Sequence, residues 1–146
     1  MEIVRATQAD QDFVLDHSVE AMLEGTRGTF DAEKQQERAR ELISSLFDRG
    51  VDLLVAKEDD SIIGWVVGGS NKDYFSGKEI GFLYDLHVFS EHRGRGIGKE
   101  LMQRAIADLK AAGYDEIRLN VFAGNPAQKM YENLGFQVYS SQMVLK

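Results

Sequence analysis

Between residues 92 and 102 the sequence runs HRGRGIGKELM, which sets Gly94, Gly96 and Gly98 among the cations Arg93, Arg95 and Lys99. Glycine lets a backbone approach a ligand closely and take positive φ, and a helix starting directly afterwards offers unpaired amides and a partial positive charge. These are the requirements of a phosphate cradle, so Arg93, Gly94, Arg95, Gly96, Ile97, Gly98 and Lys99 are candidate phosphate contacts. The competing reading is a solvated turn that uses glycine for geometry alone. The cations favour phosphate, because they stand in a chain with 24 Asp and Glu against 17 Lys and Arg and a net charge of -7. Two phosphate motifs fail by position. A P-loop needs glycine five residues before Gly98, where Arg93 stands, and a hydroxyl after Lys99, where Glu100 stands. A dinucleotide fingerprint counted from Gly94 meets Lys99 at its third glycine.

Other chemistries are narrowed by composition. The chain has no cysteine, which removes disulfides, thiolate metal sites and cysteine nucleophiles and fits a reducing, cytoplasmic setting. His17 and His92 read as helix-face and loop residues without an acidic partner at ligand spacing, so no metal is expected. Acidic charge argues against nucleic acid. The longest nearly uncharged apolar stretch, 62–69, is far short of a membrane span, and MEIVRATQAD has neither a basic nor an apolar export region. At 146 residues and 43 % apolar content, one domain over 1–146 is expected.

The elements that must position the loop follow from periodicity and turn residues. Ile3–Ala6 reads as a strand, and Thr7 with Asp10 has capping-box spacing for a helix to about Glu24. Gly25, Thr26, Arg27 and Gly28 break it, and a second helix runs from about Ala32 to Asp48. Residues 51–57 and 61–69 form a hairpin around Glu58-Asp59-Asp60, and after the loop NKDYFSGK residues 79–88 alternate as a central strand. Gly96 to Ala112 is helical up to Gly113, residues 116–122 are a strand, and Pro126 opens a last helix that Gly135 closes. FQVY and QMVLK read as two short strands. The order is β-α-α-β-β-β-α-β-α-β-β. Strand-helix-strand over 79–122 requires a parallel crossover while the hairpins are antiparallel, so the class is α/β or α+β with a mixed sheet.

Arg93-Gly94-Arg95-Gly96-Ile97-Gly98 resembles the Q/R-x-x-G-x-G/A signature of the GNAT superfamily of N-acetyltransferases. The resemblance extends to IVRATQAD, LYDLHV, RLNVFAGN and MYENLGF, and so over nearly the whole chain. It implies a single acyl-CoA N-acyltransferase domain with four helices and a mostly antiparallel, V-splayed sheet of about seven strands. It implies acetyl-CoA as co-substrate, with its pyrophosphate on Arg93 to Lys99 and its pantetheine arm on the backbone of Leu86, His87 and Val88, where the strand splays at a bulge near Leu86. One amide there would polarise the thioester carbonyl. Asn125 resembles the family's coenzyme-contacting asparagine and Tyr131 its general acid. Asn125 to Tyr131 is one residue shorter than usual in the family, and one residue on a helix is ~100° of rotation. LYDLHV also resembles the LEDLFV-like strand of spermidine/spermine N-acetyltransferases. Asp85 then matches the second acid, while Tyr84 stands where the first acid, the usual base, would be.

The expected reaction is direct acetyl transfer to a primary amine in a ternary complex, with Tyr131, Asp85 and Tyr84 as catalytic candidates. Acidic charge suggests a small cationic acceptor, and Glu20 and Glu24 could face it or be solvated. His87 is expected to contribute its backbone rather than its imidazole. Acetylation of a protein N-terminus or lysine, and a non-catalytic coenzyme-A sensor, are the alternatives. By family analogy a homodimer is expected.

Overall fold

Thr7 and Asp10 start the first helix by capping each other. The Asp10 amide donates to Thr7 Oγ1 at 3.2 Å, and the Thr7 amide donates to Asp10 Oδ2 at 2.9 Å, which satisfies two backbone donors otherwise left open. Strand β1 (Glu2–Arg5) precedes this box, helix α1 (Gln8–Gly25) follows it, and α2 (Ala32–Asp48) comes next. The computed structural model describes residues 1–25 and 32–146, with side chains given outside 23–35. Thr26, Arg27 and Gly28 of the expected helix break, and the side chain of Glu24, lie outside the described residues.

Strands β2 (Asp52–Glu58) and β3 (Ser61–Lys72) form the expected hairpin. Asp59 and Asp60 hold φ of 51° and 64°, the left-handed pair that lets a two-residue turn match the strand twist. Strand β3 runs to Lys72 because Asn71 and Lys72 pair with Ile80 and Glu79, which shortens the expected 71–78 loop. Then come β4 (Glu79–Val88), α3 (Ile97–Ala111), β5 (Ile117–Leu119) and α4 (Ala127–Asn133). The sheet order is β1-β2-β3-β4-β5, antiparallel except for the parallel β4–β5 pair that α3 connects.

This is a mixed α/β fold with four helices among the described residues. The expected count of about seven strands is corrected to five among them. The segments FQVY and QMVLK pair with nothing in the sheet, and 116–122 contracts to Ile117–Leu119. Strand propensity measures fit to a pleated, half-buried surface, and Val138, Met143 and Leu145 meet solvent instead.

Alternation along the strands divides the core between two faces. Leu54, Ala56, Ile63, Val66 and Leu83 meet Ile97, Leu101, Met102, Ala105 and Leu109 of α3. Leu53, Val55, Trp65 and Val67 face the other way, onto Val14 and Ala21 of α1.

Candidate active site

Three elements meet at the end of β4. A Cβ on Gly98 would sit 3.6 Å from Val88 Cγ2 and 3.7 Å from Met130 Sδ, so the start of α3 lies directly against the end of β4 and against α4. Here the sheet also opens. Strand β4 pairs with β5 from Gly81 to Leu83 and no further. Beyond Leu83, β3 alone continues beside it.

A bulge marks the same point. Val67 of β3 lies opposite Asp85 while Gly68 lies opposite Leu83, so Tyr84 is an extra residue in β4. The expected bulge near Leu86 thus stands two residues earlier. Plain alternation would send Tyr84 and Asp85 to opposite faces. The bulge cancels it. Tyr84 packs in the α1-side core, and Asp85, opposite Val67 of that same face, accepts a hydrogen bond from Trp65 Nε1 at 2.8 Å. Leu86 and Val88 return to the α3 side.

Backbone direction after the bulge suits a ligand strand. The Phe89 amide donates to Ile63 across β3 at 3.1 Å, so by antiparallel alternation Leu86 and Val88 aim their amides and carbonyls away from β3, at the opening. Arg93 Nε donates to the Val88 carbonyl at 2.9 Å, which ties the glycine loop to this edge. Gly94 and Gly96 take φ of 79° and 77°, a conformation that side chains other than glycine rarely adopt. Helix α3 begins at Ile97 and its first turn closes when Glu100 donates to the Gly96 carbonyl, leaving the amides of Ile97, Gly98 and Lys99 without partners in the helix. The residues present fit the diphosphate and extended amide arm of coenzyme A: backbone donors in a positive helix end beside a strand edge that no neighbouring strand covers.

The candidate side chains differ in burial and in partners. Tyr131 on α4 is half-buried, and its hydroxyl is pushed up to about 12 by burial and further by the charge of Asp85. Asp85 itself is raised above the ordinary carboxylate value by burial, against the lowering effect of its hydrogen bonds to Trp65 and the Leu86 amide. Tyr84 is turned aside: its hydroxyl donates to the Ser70 carbonyl and lies 3.4 Å from an Arg49 nitrogen. Arg95 reaches across to Glu58, whose carboxyl is held below its usual value chiefly by that hydrogen bond. Asn125 uses Oδ1 to accept from the Ala127 amide at 2.9 Å, which caps α4 locally. His87 is buried, with its ring 4.8 Å from Trp65 and 5.1 Å from Phe89, and His17 stacks on Phe13 at 4.1 Å. Glu20 is exposed.

Against known proteins, the model of the acetyltransferase (GNAT) family matches residues 19–136, which takes in every element named here except β1 and the first part of α1. The chain belongs to the GNAT acetyltransferase family. An uncharacterized N-acetyltransferase of Archaeoglobus fulgidus is 34 % identical over 109 residues, covering 73 % of this chain and 71 % of that protein. N-acetyltransferase 8 of Rattus norvegicus is 35 % identical over 95 residues, and the match covers 64 % of this chain and 43 % of the rat protein. The chain thus spans less than half of that relative. A solved structure described as an acetyl transferase from Pyrococcus furiosus superposes with a TM-score of 0.86 at 28 % identity, over 99 % of this chain and 98 % of that one. The GNAT fold therefore covers the whole described chain.

Within this GNAT domain Leu86 and Val88 lie on the α3 side with Tyr131, Arg93 ties the glycine loop to the Val88 carbonyl, and Asp85 and His87 face the α1 side against Trp65. Sequence reasoning missed Trp65 and Glu58. Trp65 carried a usable signal, since the chain's one tryptophan sits in an apolar strand where its buried N–H needs an acceptor. Glu58, read as a hairpin residue, carried none.

Proposed function

We propose that the domain transfers an acetyl group from acetyl-CoA to a primary amine by direct attack, with Asp85 and Tyr131 handling the protons. The observation that carries this reading is geometric: the glycine loop and the start of α3 lie against the end of β4, where β5 no longer pairs, and α4, which bears Tyr131, packs against the same start of α3. Acetyl-CoA supplies an activated carbonyl carbon and a thiolate leaving group. Its pyrophosphate would lie on the backbone of Arg93 to Lys99 and its pantetheine arm along Leu86 to Val88.

An alkyl ammonium of pKa ~10.4 is deprotonated to about one part in a few thousand at pH 7, so attack needs a proton acceptor. Asp85 accepts that proton, directly or through water, and burial that raises its carboxyl above the ordinary value makes it a stronger base than an exposed one. The new N–C bond forms as the C–S bond breaks, the Tyr131 hydroxyl delivers a proton to the departing sulfur, and the second proton shed by the acylated nitrogen passes through water to restore that hydroxyl. The outward amide of Val88 donates to the carbonyl oxygen as negative charge develops, an effect worth ~3 kcal/mol in a dry site. Tyr84 supports the strand. The acceptor is a small cationic amine, supported by the net charge of -7, which raises the local concentration of cations.

A panel of amines, polyamines and peptides incubated with acetyl-CoA, with free thiol followed, tests this. Thiol release with small cationic amines is expected. Release only with peptide N-termini or lysines would move the acceptor to proteins, and acetyl-CoA binding without release from any amine would leave a sensor.

A further inference from the structure

Both arginines of the glycine loop turn their side chains onto the protein. Arg93 Nε is bonded to the Val88 carbonyl. Arg95 reaches back 37 positions, donating from Nη1 and Nη2 to Oε1 and Oε2 of Glu58 at 3.3 and 2.5 Å. A two-pronged pair of this kind fixes direction as well as distance. Arg95 Nη1 also lies 3.2 Å from His92 Nδ1, so one guanidinium gathers the β2–β3 hairpin, the turn before the loop and the loop itself.

The loop needs such ties. Gly94 and Gly96 hold φ of 79° and 77°, and at both the space a Cβ would occupy is open, with no heavy atom within 4 Å. No neighbour packs against them there, and glycine loses more freedom on ordering than any other residue. Buried Ile97 seats the helix behind the loop, and the two arginines brace the stretch in front of it. Glu58 is itself firmly placed, as the last residue of β2, paired with Ser61 across the Asp59-Asp60 turn.

We propose that Glu58 is a positioning residue for coenzyme binding: it grips Arg95 and so holds residues 93–96 in the shape that aims the amides of Ile97, Gly98 and Lys99 at the diphosphate. The role rests on the coenzyme reading above. Glu58 touches no coenzyme atom, and Arg95 acts through its pairing rather than by contact with a phosphate. With the pair in place the coenzyme meets a loop already ordered; without it, binding must bear the cost of ordering that loop.

Two double variants keep the local charge constant while removing or rebuilding the pair. Glu58→Gln with Arg95→Gln removes it, and Glu58→Arg with Arg95→Glu rebuilds it with reversed polarity. In titration calorimetry the first should weaken CoA binding about fivefold, the upper range for an exposed ion pair, while the second should bind within about twofold of wild type. Dephospho-CoA, which keeps the diphosphate and lacks the 3′-phosphate, should show the same pattern. Binding by the first variant equal to wild type overturns the proposal. So does a second variant no tighter than the first, which would put Arg95 itself on the coenzyme, and so does a loss that disappears with dephospho-CoA, which would assign the pair to the 3′-phosphate. Wild type that binds no CoA would instead remove the coenzyme reading, and the positioning role with it.

Discussion

In the proposed reaction Asp85 takes a proton and Tyr131 gives one. Tyr131, with its pKa near 12, stays protonated across pH 6–10 and remains a donor throughout. Tyr131→Phe should therefore slow turnover at every pH in that range while leaving acetyl-CoA affinity nearly unchanged in calorimetry, because the hydroxyl is needed only as thiolate charge develops. Asp85→Asn should lower kcat by roughly 10²-fold or more, with Tyr84→Phe costing less, since the Tyr84 hydroxyl is spent on Ser70. The sign of the stability effect is opposite. A carboxyl whose folded pKa is raised favours the fold only below its unfolded value near 3.8, and that contribution is lost as pH rises through the folded pKa. At pH 7 the buried carboxylate opposes folding, so Asp85→Asn should raise Tm while lowering activity. Trp65→Phe removes a hydrogen bond that lowers the Asp85 pKa, and the acid limb of the kcat profile should move to higher pH. Asp85 was legible as a residue type in the sequence, but its face was not, because one bulged residue reverses the parity of everything after it.

At the scale of elements, the glycine loop is a backbone device. Gly96 holds φ of 77°, where a β-branched residue is strained by ~1–3 kcal/mol, whereas Arg95 is an exposed cation already paired with Glu58. Titration calorimetry should find acetyl-CoA binding weakened more by Gly96→Val than by Arg95→Ala, and the reverse order would return the binding role to the arginine side chain. The helices, the Asp59-Asp60 turn and the crossover were legible because caps, turn residues and helical spacing act within a few positions of one another. The two last strands were not, since composition supplies willingness to pair and no partner. β5 shortened to Ile117–Leu119 for the same reason: pairing with β4 stops where the sheet opens.

For the molecule as a whole, a ligand that binds only the folded state raises its melting temperature by mass action. Acetyl-CoA at millimolar concentration should raise Tm, with ATP and NAD doing much less, and no shift with acetyl-CoA would remove the coenzyme site. The sequence by itself determined the glycine and cation run ahead of a helix, the tyrosine in YENLGF, the reciprocal caps of Thr7 and Asp10, and the family they belong to. Each is a matter of neighbours along the chain, governed by backbone torsion and helical spacing. Tertiary structure alone decided that Asp85 meets Trp65 across 20 positions, that Arg95 meets Glu58 across 37, and that residues 136–146 join no strand. These depend on strand register and on which edges find partners, and both are set by packing between segments that carry no mark of one another in their local sequence.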